Sequence, residues 1–553
     1  MNRRRHSRFL AVAAAFGAAA LALAACGGGS GSSSSSTAVA AGTPRSGGTL
    51  TFAVNTEPDC LDPHVSPADI TSVIQRNVFD SLVSQRANGT FAPWLASSWT
   101  VSPDARTFTF TLRSGVRFTD GTPFDAAAVK TSFDHITAKS TKSQYAVSLL
   151  GSYTGTQVVN PTTARVSFAK PYAAFLGAAA TTYLGIESPK QITEHPDQLC
   201  AGGPSSVGTG AFVFSKYVRG QSATFTRNPN YTSPPGAAAH QGPAHLSTLV
   251  LRFLPEDSAR VASLRNGEVD AADAVPPADV SSLSGDDGIS LLKVVPQNAN
   301  YSLYFNTARA PLSDERARKA VVAAINLDQI VASVYFGQYQ RAYSNLSPKN
   351  VAYDPKLAGR KTYDPATAGR LLDELGYTGR DSAGYRTKDG KRLTLEWPYV
   401  GAFDREQRLI VSQAVQADLK KVGIDVHLFS MASGAYTTRR NAGGYDLIAF
   451  SWGKSDPDLL RQLYASDQAF TAGGVNGSGL RNPQVDAALA AGAATTDSAK
   501  RRAAYATVQE YAINHAYTLP VYVFTRTVGA RTRAHGISFD PDAFPLFHDA
   551  WVS

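Results

Sequence analysis

Beyond its first 25 residues the sequence has no apolar run of the roughly 20 residues that a helix needs to cross a bilayer, so the body is expected to be soluble. It has no dense Lys/Arg stripe. The formal charge of +9 includes four arginines in the first 25 residues, which leaves +5 for the rest. Mild, dispersed basicity argues against nucleic acid as a partner. Catalytic motifs are missing too. No Gly-x-Ser-x-Gly elbow and no His-Glu-x-x-His pair occurs. Gly453-Lys454-Ser455 resembles the end of a P-loop, but Ile448 stands where the loop requires its first glycine. Gly208-Thr209-Gly210 lacks the third glycine of a dinucleotide loop and reads as a turn. No period of 20 to 50 residues marks a solenoid. No enzyme activity and no cofactor is expected. Histidines are scattered along the chain, with His240 and His245 the nearest pair, so no metal site is expected from spacing.

What the sequence does have begins with an address. Arg3, Arg4, Arg5 and Arg8 precede an Ala/Leu-rich run that ends in Leu23-Ala24-Ala25-Cys26-Gly27. Charge, a short apolar stretch and small residues before a cysteine make a secretory leader with a lipobox. Residues 1–25 are therefore read as signal peptide and Cys26 as the lipidated N-terminus of the mature chain. Arg4-Arg5 leaves the export route, general or twin-arginine, open. Residues 26–47 are almost all Gly, Ser, Ala and Thr and are read as a flexible tether, because such a composition buries no core. The protein is expected on the outer face of the cytoplasmic membrane, held there by the lipid.

Of three cysteines, Cys60 and Cys200 remain after lipidation. In an oxidising compartment they are a candidate disulfide; two unrelated buried thiols are the alternative. A body of about 500 residues is too long for one core and implies two or three domains. Its elements mix α and β. Phe108, Phe110 and Leu112 alternate on one face of a strand over 107–112. Asp364 caps a helix that starts at Pro365 and ends at Gly376. A second helix is predicted over 404–422, with Ile410, Val411, Ala414, Val415, Leu419 and Val422 as its apolar stripe. Gly423 ends it, and Ile424, Val426 and Leu428 then alternate as a strand. That rhythm belongs to α/β layers.

Several blocks together resemble a known family. They are Thr56 through Leu61-Asp62-Pro63-His64; Trp99 through Asp104, with Phe108 to Arg113 and Gly115 to Pro123; Gly208 to Phe212, with Arg227 to Tyr231; and Leu264 to Asp270. They continue with Tyr304 to Thr307, with Pro311-Leu312 and Arg316 to Ala320; Asp364 to Tyr377; Leu419 to Ile424; and Tyr445-Asp446-Leu447, with Trp452 and Asp456-Pro457-Asp458. From Gly48 to the end the chain resembles the family 5 extracellular solute-binding proteins, the peptide/nickel-type receptors of ABC importers. The resemblance implies an α/β, three-lobed fold of the type II periplasmic-binding-protein kind, large peptide-binding class, with a hinged ligand cleft. Lobe I is expected at 48–82, 206–297 and 520–553, lobe II at 83–205 and lobe III at 298–519. The implied partners are a solute, foremost an oligopeptide, and an ABC permease with its ATPase; the receptor itself is expected to be a monomer. A non-peptide organic solute, a metal chelate, and a sensing role without transport stay open.

The resemblance also nominates cleft residues. Glu57 corresponds to a pocket carboxylate in some relatives, or is a surface loop carboxylate. Trp397 and Tyr399 stand where the family has a cleft wall, with plain core as the alternative for Trp397. Arg405 and Arg408 could meet a ligand carboxylate or face solvent. Trp452 opens a loop in which peptide-binding relatives carry an Asp three residues later. Here that position is Ser455, and Asp456 follows. Either Asp456 grips a ligand amine after a small shift, or the ligand is not a peptide with a free N-terminus; as a structural residue Asp456 would cap the turn before Leu459.

Overall fold

A computed structural model describes residues 42–553. Cys26 and most of the tether lie outside the described residues. The last tether residues are engaged with the body: the Gly47 N–H donates to the His245 carbonyl at 2.8 Å, and Arg227 donates to Ser46 Oγ at 3.0 Å. No helix among the described residues is long and apolar enough to cross a membrane.

Three sheets organise the body, each over its own core. The largest has seven strands in the order Ile289–Val294, Arg526–Arg531, Ala271–Ala272, Thr49–Val54, Thr248–Phe253, Ser222–Arg227, Phe212–Val218. The chain enters it at residue 49, leaves, returns at 212 and returns again at 526, so this unit is assembled from three separate stretches. Its core joins Phe52, Phe79, Phe214, Phe225, Leu251 and Phe547. The second is a four-stranded antiparallel sheet, Ala96–Val101, Thr107–Leu112, Thr163–Phe168, Tyr153–Asn160. Phe108, Phe110 and Leu112 alternate inward as the sequence predicts, and Phe175 packs edge-on against both phenylalanines. The third sheet runs Gln340–Arg341, Thr518–Val523, Tyr301–Phe305, Leu447–Phe450, and beside it Thr394–Tyr399 pairs in parallel with Asp425–Ser430. Helices Glu315–Ala324, Leu327–Val334, Pro365–Glu374 and Arg408–Lys421 cover that region.

Local signals explain many of the boundaries. Asp364 accepts the Thr367 N–H at 3.0 Å and caps helix Pro365–Glu374; Gly376, at φ +88°, ends it in a conformation other residues avoid. The helix predicted from 404 starts only at Arg408. Glu406 and Gln407 both sit at φ +55°, so the chain cannot wind into a right-handed turn before that point. Val411, Val415 and Leu419 of its stripe are buried, but Ile410 is half exposed at the edge of the face. The predicted strand after Gly423 is Asp425–Ser430, with Val426 buried.

Candidate ligand-binding site

The region 298–523 meets the rest of the body along a seam. Tyr145 Oη donates to the Gly453 carbonyl, Ser455 Oγ donates to Gln85 at 3.2 Å, and the Ala173 N–H donates to the Ala493 carbonyl at 2.9 Å. Arg405 faces Asp69 across it at 3.9 Å. A cavity of about 430 Å³ opens beside this seam. That volume lies in the range of small-molecule and short-peptide sites.

Its walls come from distant parts of the chain. Trp94, Phe212, Tyr231, Phe539 and Phe547 supply the apolar area, joined by Gly177, Ala180 and Thr181. Close backbone packing sits behind the floor, where Asn77, Ala211 and Phe212 line the cavity. The Gly210 N–H donates to the Val78 carbonyl at 2.8 Å, and a Cβ on Gly210 would stand 2.5 Å from that same oxygen. This close approach is why glycine is needed in the Gly-Thr-Gly turn.

Charge in the cavity is mostly negative. Arg76 is held by the carbonyls of Phe79 and Ala180 and by Ser81, and stacks 4.8 Å from the Trp94 ring. Burial lowers its pKa to about 10, still cationic at neutral pH. Arg86 is the second cation of the lining, against the four carboxyl groups of Asp80, Asp540, Asp542 and Asp549. Asp80 accepts from Thr209, Ser233 and Tyr231 at 3.0–3.2 Å, yet burial outweighs these bonds and pushes it up to about 6. Asp540 is likewise raised by burial to about 6, although the Asp542 and Phe544 N–H groups bond it. Asp542 is also raised well above the ordinary carboxylate range, by burial and then by the neighbouring carboxylates of Asp540 and Asp69. Its Oδ1 is buried with no hydrogen-bond partner among the described residues. Asp549 is the exception. His240 and His548 bond its carboxylate at 2.7 and 3.1 Å, and it is held below the usual range despite its burial. The rings of His240, His245 and His548 stack, with centroids 3.9 and 4.1 Å apart.

The structure brings one of the residues nominated from sequence to the cavity wall, Ser455. Glu57 lies elsewhere, accepting from Tyr217 Oη at 2.6 Å and the Gly220 N–H at 2.8 Å. Trp397 points into the core with Leu395, its neighbour on the same strand face. Tyr399 is half-buried at the end of that strand, opposite Ser430. Arg405 is largely exposed and faces Asp69 at the seam. Arg408 is turned inward to Glu406, Ser451 and Tyr522. Trp452 is half-buried; its Nε1 donates to Gln462 at 2.7 Å and its ring meets Phe450 edge-on. Asp456 is buried and paired through two bonds, 2.6 and 3.1 Å, with Arg501, so its charge is already compensated within the protein. Beside it, Lys454 Nζ is buried without a hydrogen-bond partner among the described residues, 5.8 Å from the Tyr172 ring. Cys60 and Cys200 are joined in a disulfide. Sequence reasoning missed Asp80, Asp540 and Asp542. Phe539-Asp540-Pro541-Asp542 is an ordinary acidic turn until the fold places it against residues 76–80.

Residues 90–473 match the family described as bacterial extracellular solute-binding proteins, family 5, and the chain belongs to that family. It is a binding receptor of α/β, type II periplasmic-binding-protein fold rather than an enzyme. The chain is 26% identical to the nickel-binding periplasmic protein of Escherichia coli (strain K12) over 505 residues, 90% of this chain and 92% of that protein. It is also 26% identical to the di/tripeptide-binding protein 1 of Pseudomonas aeruginosa (strain UCBPP-PA14) over 544 residues, 93% of this chain and 96% of that one. The crystal structure of NikA from Brucella suis in complex with Fe(III)-EDTA superposes with a TM-score of 0.77 at 25% identity, covering 92% of this chain and all of that one.

Proposed function

We propose that this chain captures a small solute bearing a cationic amine, foremost a short peptide, and delivers it to an ABC permease and its ATPase. The observation that carries the cargo class is Asp542: a buried carboxylate oxygen without a partner, beside the raised Asp540, in the wall of a cavity suited to a small ligand. A buried carboxylate without a counter-charge is costly, and an entering ammonium group offsets that cost. The di/tripeptide-binding relative supports the peptide reading. A second reading, a metal chelate, is favoured by the His240, His548 and Asp549 group, of which His548 and Asp549 line the cavity, and by the Fe(III)-EDTA complex of the Brucella relative.

Three lobes account for the gating. Lobe I takes 48–82, 206–297 and the C-terminal stretch, lobe II takes 83–205, and lobe III begins at 298. Strand Thr518–Val523 pairs with Tyr301–Phe305, so the return to lobe I is best placed after Val523 rather than at 520. Closure of lobe III along the seam buries the solute, and the closed form is what a permease would read. The receptor acts as a monomer, tethered by a lipid on Cys26 at the outer face of the cytoplasmic membrane. Replacing Cys26 with Ser should release the protein from membranes; unchanged attachment would refute the anchor. Trp452→Ala should weaken solute binding about tenfold by loosening the loop that carries Ser455; an unchanged Kd would remove Trp452 from the site.

Native mass spectrometry of the lipid-free body, purified without refolding and then denatured, tests the cargo. Short peptides or another amine-bearing solute support the proposal. A released metal complex favours the chelate reading, and an anionic species with no cationic group overturns the amine assignment.

A further inference from the structure

A second polar centre lies away from the cavity, buried beneath the disulfide loop. Asp62 and His64 stand in the turn that follows Cys60, His135 in the last turn of helix Ala126–Thr137, and Glu187 in the extended segment after Gly185. Asp62, His64 and Glu187 are almost completely buried, and the His135 side chain is 12% exposed. Four side-chain atoms here are buried with no hydrogen-bond partner among the described residues: Asp62 Oδ2, His64 Nδ1, His135 Nε2 and Glu187 Oε1. They face one another. His135 Nε2 lies 3.5 Å from Asp62 Oδ2, and His64 Nδ1 lies 3.7 Å from Glu187 Oε1. One donor atom each from Asp62, His64 and His135 falls within 4.8 Å of the other two.

The other ends of these side chains are already committed. His64 Nε2 is 2.9 Å from the Gly185 carbonyl and must donate to it, which leaves the Nδ1 lone pair bare. His135 Nδ1 is 3.2 Å from Thr141 Oγ1, which leaves Nε2 inward. Asp62 Oδ1 accepts the His64 N–H at 2.7 Å, which turns Oδ2 inward. A second hydrogen bond that fixes the tautomer and aims the ring is the usual surrounding of metal-binding histidines. Bonds of about 2.0–2.1 Å at tetrahedral angles place neighbouring ligands about 3.3 Å apart. The His135–Asp62 and His64–Glu187 pairs, at 3.5 and 3.7 Å, are already near that spacing, and the Asp62, His64 and His135 atoms, within 4.8 Å of one another, draw together with Glu187 on binding.

We propose that Asp62, His64 and His135, with Glu187 as fourth ligand, bind one structural divalent cation of the zinc class. Two imidazoles and two carboxylates suit zinc, and four protein ligands leave no open position for chemistry or cargo. None of the four lines the cavity. The ion would tie the loop after Cys60 to the helix and segment beneath it, stapling the stretch at 60–66 to the unit built from 83–205.

Metal analysis of the purified mature protein should find about one zinc per chain. The ion should survive dialysis, leave with a strong chelator, and take several degrees of Tm with it. Co2+ added to the stripped protein should give the intense visible band of a four-coordinate site. His135→Gln, at the partly exposed edge, should keep its circular dichroism and lower zinc affinity by about 100-fold or more. His240→Gln with His548→Gln, in the separate group beside the cavity, should leave the metal in place. Stripped wild-type protein that binds neither Zn2+ nor Co2+ at micromolar concentration overturns the site, whatever the variants do. So does a folded His135→Gln protein with wild-type zinc affinity, or loss of the metal in the cavity double variant.

Discussion

Asp542 and Asp540 form a pair in which burial and like charge oppose ionisation, and that opposition is the lever for selecting a cationic group. Asp542→Asn should weaken binding of an amine-bearing solute by about 10–100-fold, since removing one partner of a buried charge pair costs a few kcal/mol; isothermal titration on the folded variant reads it. The pH dependence follows from the raised values. Asp80 and Asp540 sit near 6, above the ordinary carboxylate range, because burial favours the neutral form. Their stabilising contribution is complete below the ordinary range and is lost as pH rises through about 6. Binding of a cation runs the other way, because it needs the ionised form. Affinity should therefore fall as pH drops from 7 to 5, and a flat profile would detach these carboxylates from the ligand. Arg76 faces both groups but stays charged throughout that window, so it does not alter the sign.

The caps and turns decide how well each element holds its part of the wall. Replacing Asp364 by Ala removes the bond to the Thr367 N–H and should cost about 1 kcal/mol, measured by urea denaturation, with no change in ligand affinity. Gly210→Ala should behave differently. The new Cβ meets the Val78 and Asn77 carbonyls at 2.5 and 2.7 Å, so the turn must move away from the floor of the cavity. Both stability and affinity should fall, and a fully stable variant with unchanged Kd would show that this contact does not shape the site. Elements with an alternating or helical stripe were the legible ones. Strand Thr107–Leu112 and helix Pro365–Glu374 follow directly from their patterns and punctuation. The late start of helix Arg408–Lys421 was not legible, because two non-glycine residues at positive φ leave no compositional trace.

For the whole molecule, the disulfide closes a loop of 140 residues and joins the start of the seven-stranded unit to the end of the 83–205 stretch. In the chain-entropy limit such a link contributes up to about 5 kcal/mol. Reduction, or the Cys60→Ser/Cys200→Ser pair, should lower Tm markedly in a calorimetric scan; no shift would mean the link constrains nothing that packing does not already hold. The hydrogen bonds from Tyr145 to Gly453 and from Ser455 to Gln85 across the seam are exposed or part-buried, so they can break and re-form without disturbing the hydrophobic cores.

The sequence by itself determined the family, the α/β class, and the strands and helices whose periodicity is local. These depend on near neighbours, and near neighbours are written consecutively. Only the tertiary structure decided which polar groups meet. Asp542 reaches the wall that Arg76 and Asp80 share, Asp456 spends its charge on Arg501, Trp397 faces core rather than cleft, and Asp62, His64, His135 and Glu187 converge. Those partners lie tens to hundreds of residues apart, and a side chain's charge state and direction are set by the surroundings the fold brings to it, which no single stretch of sequence contains.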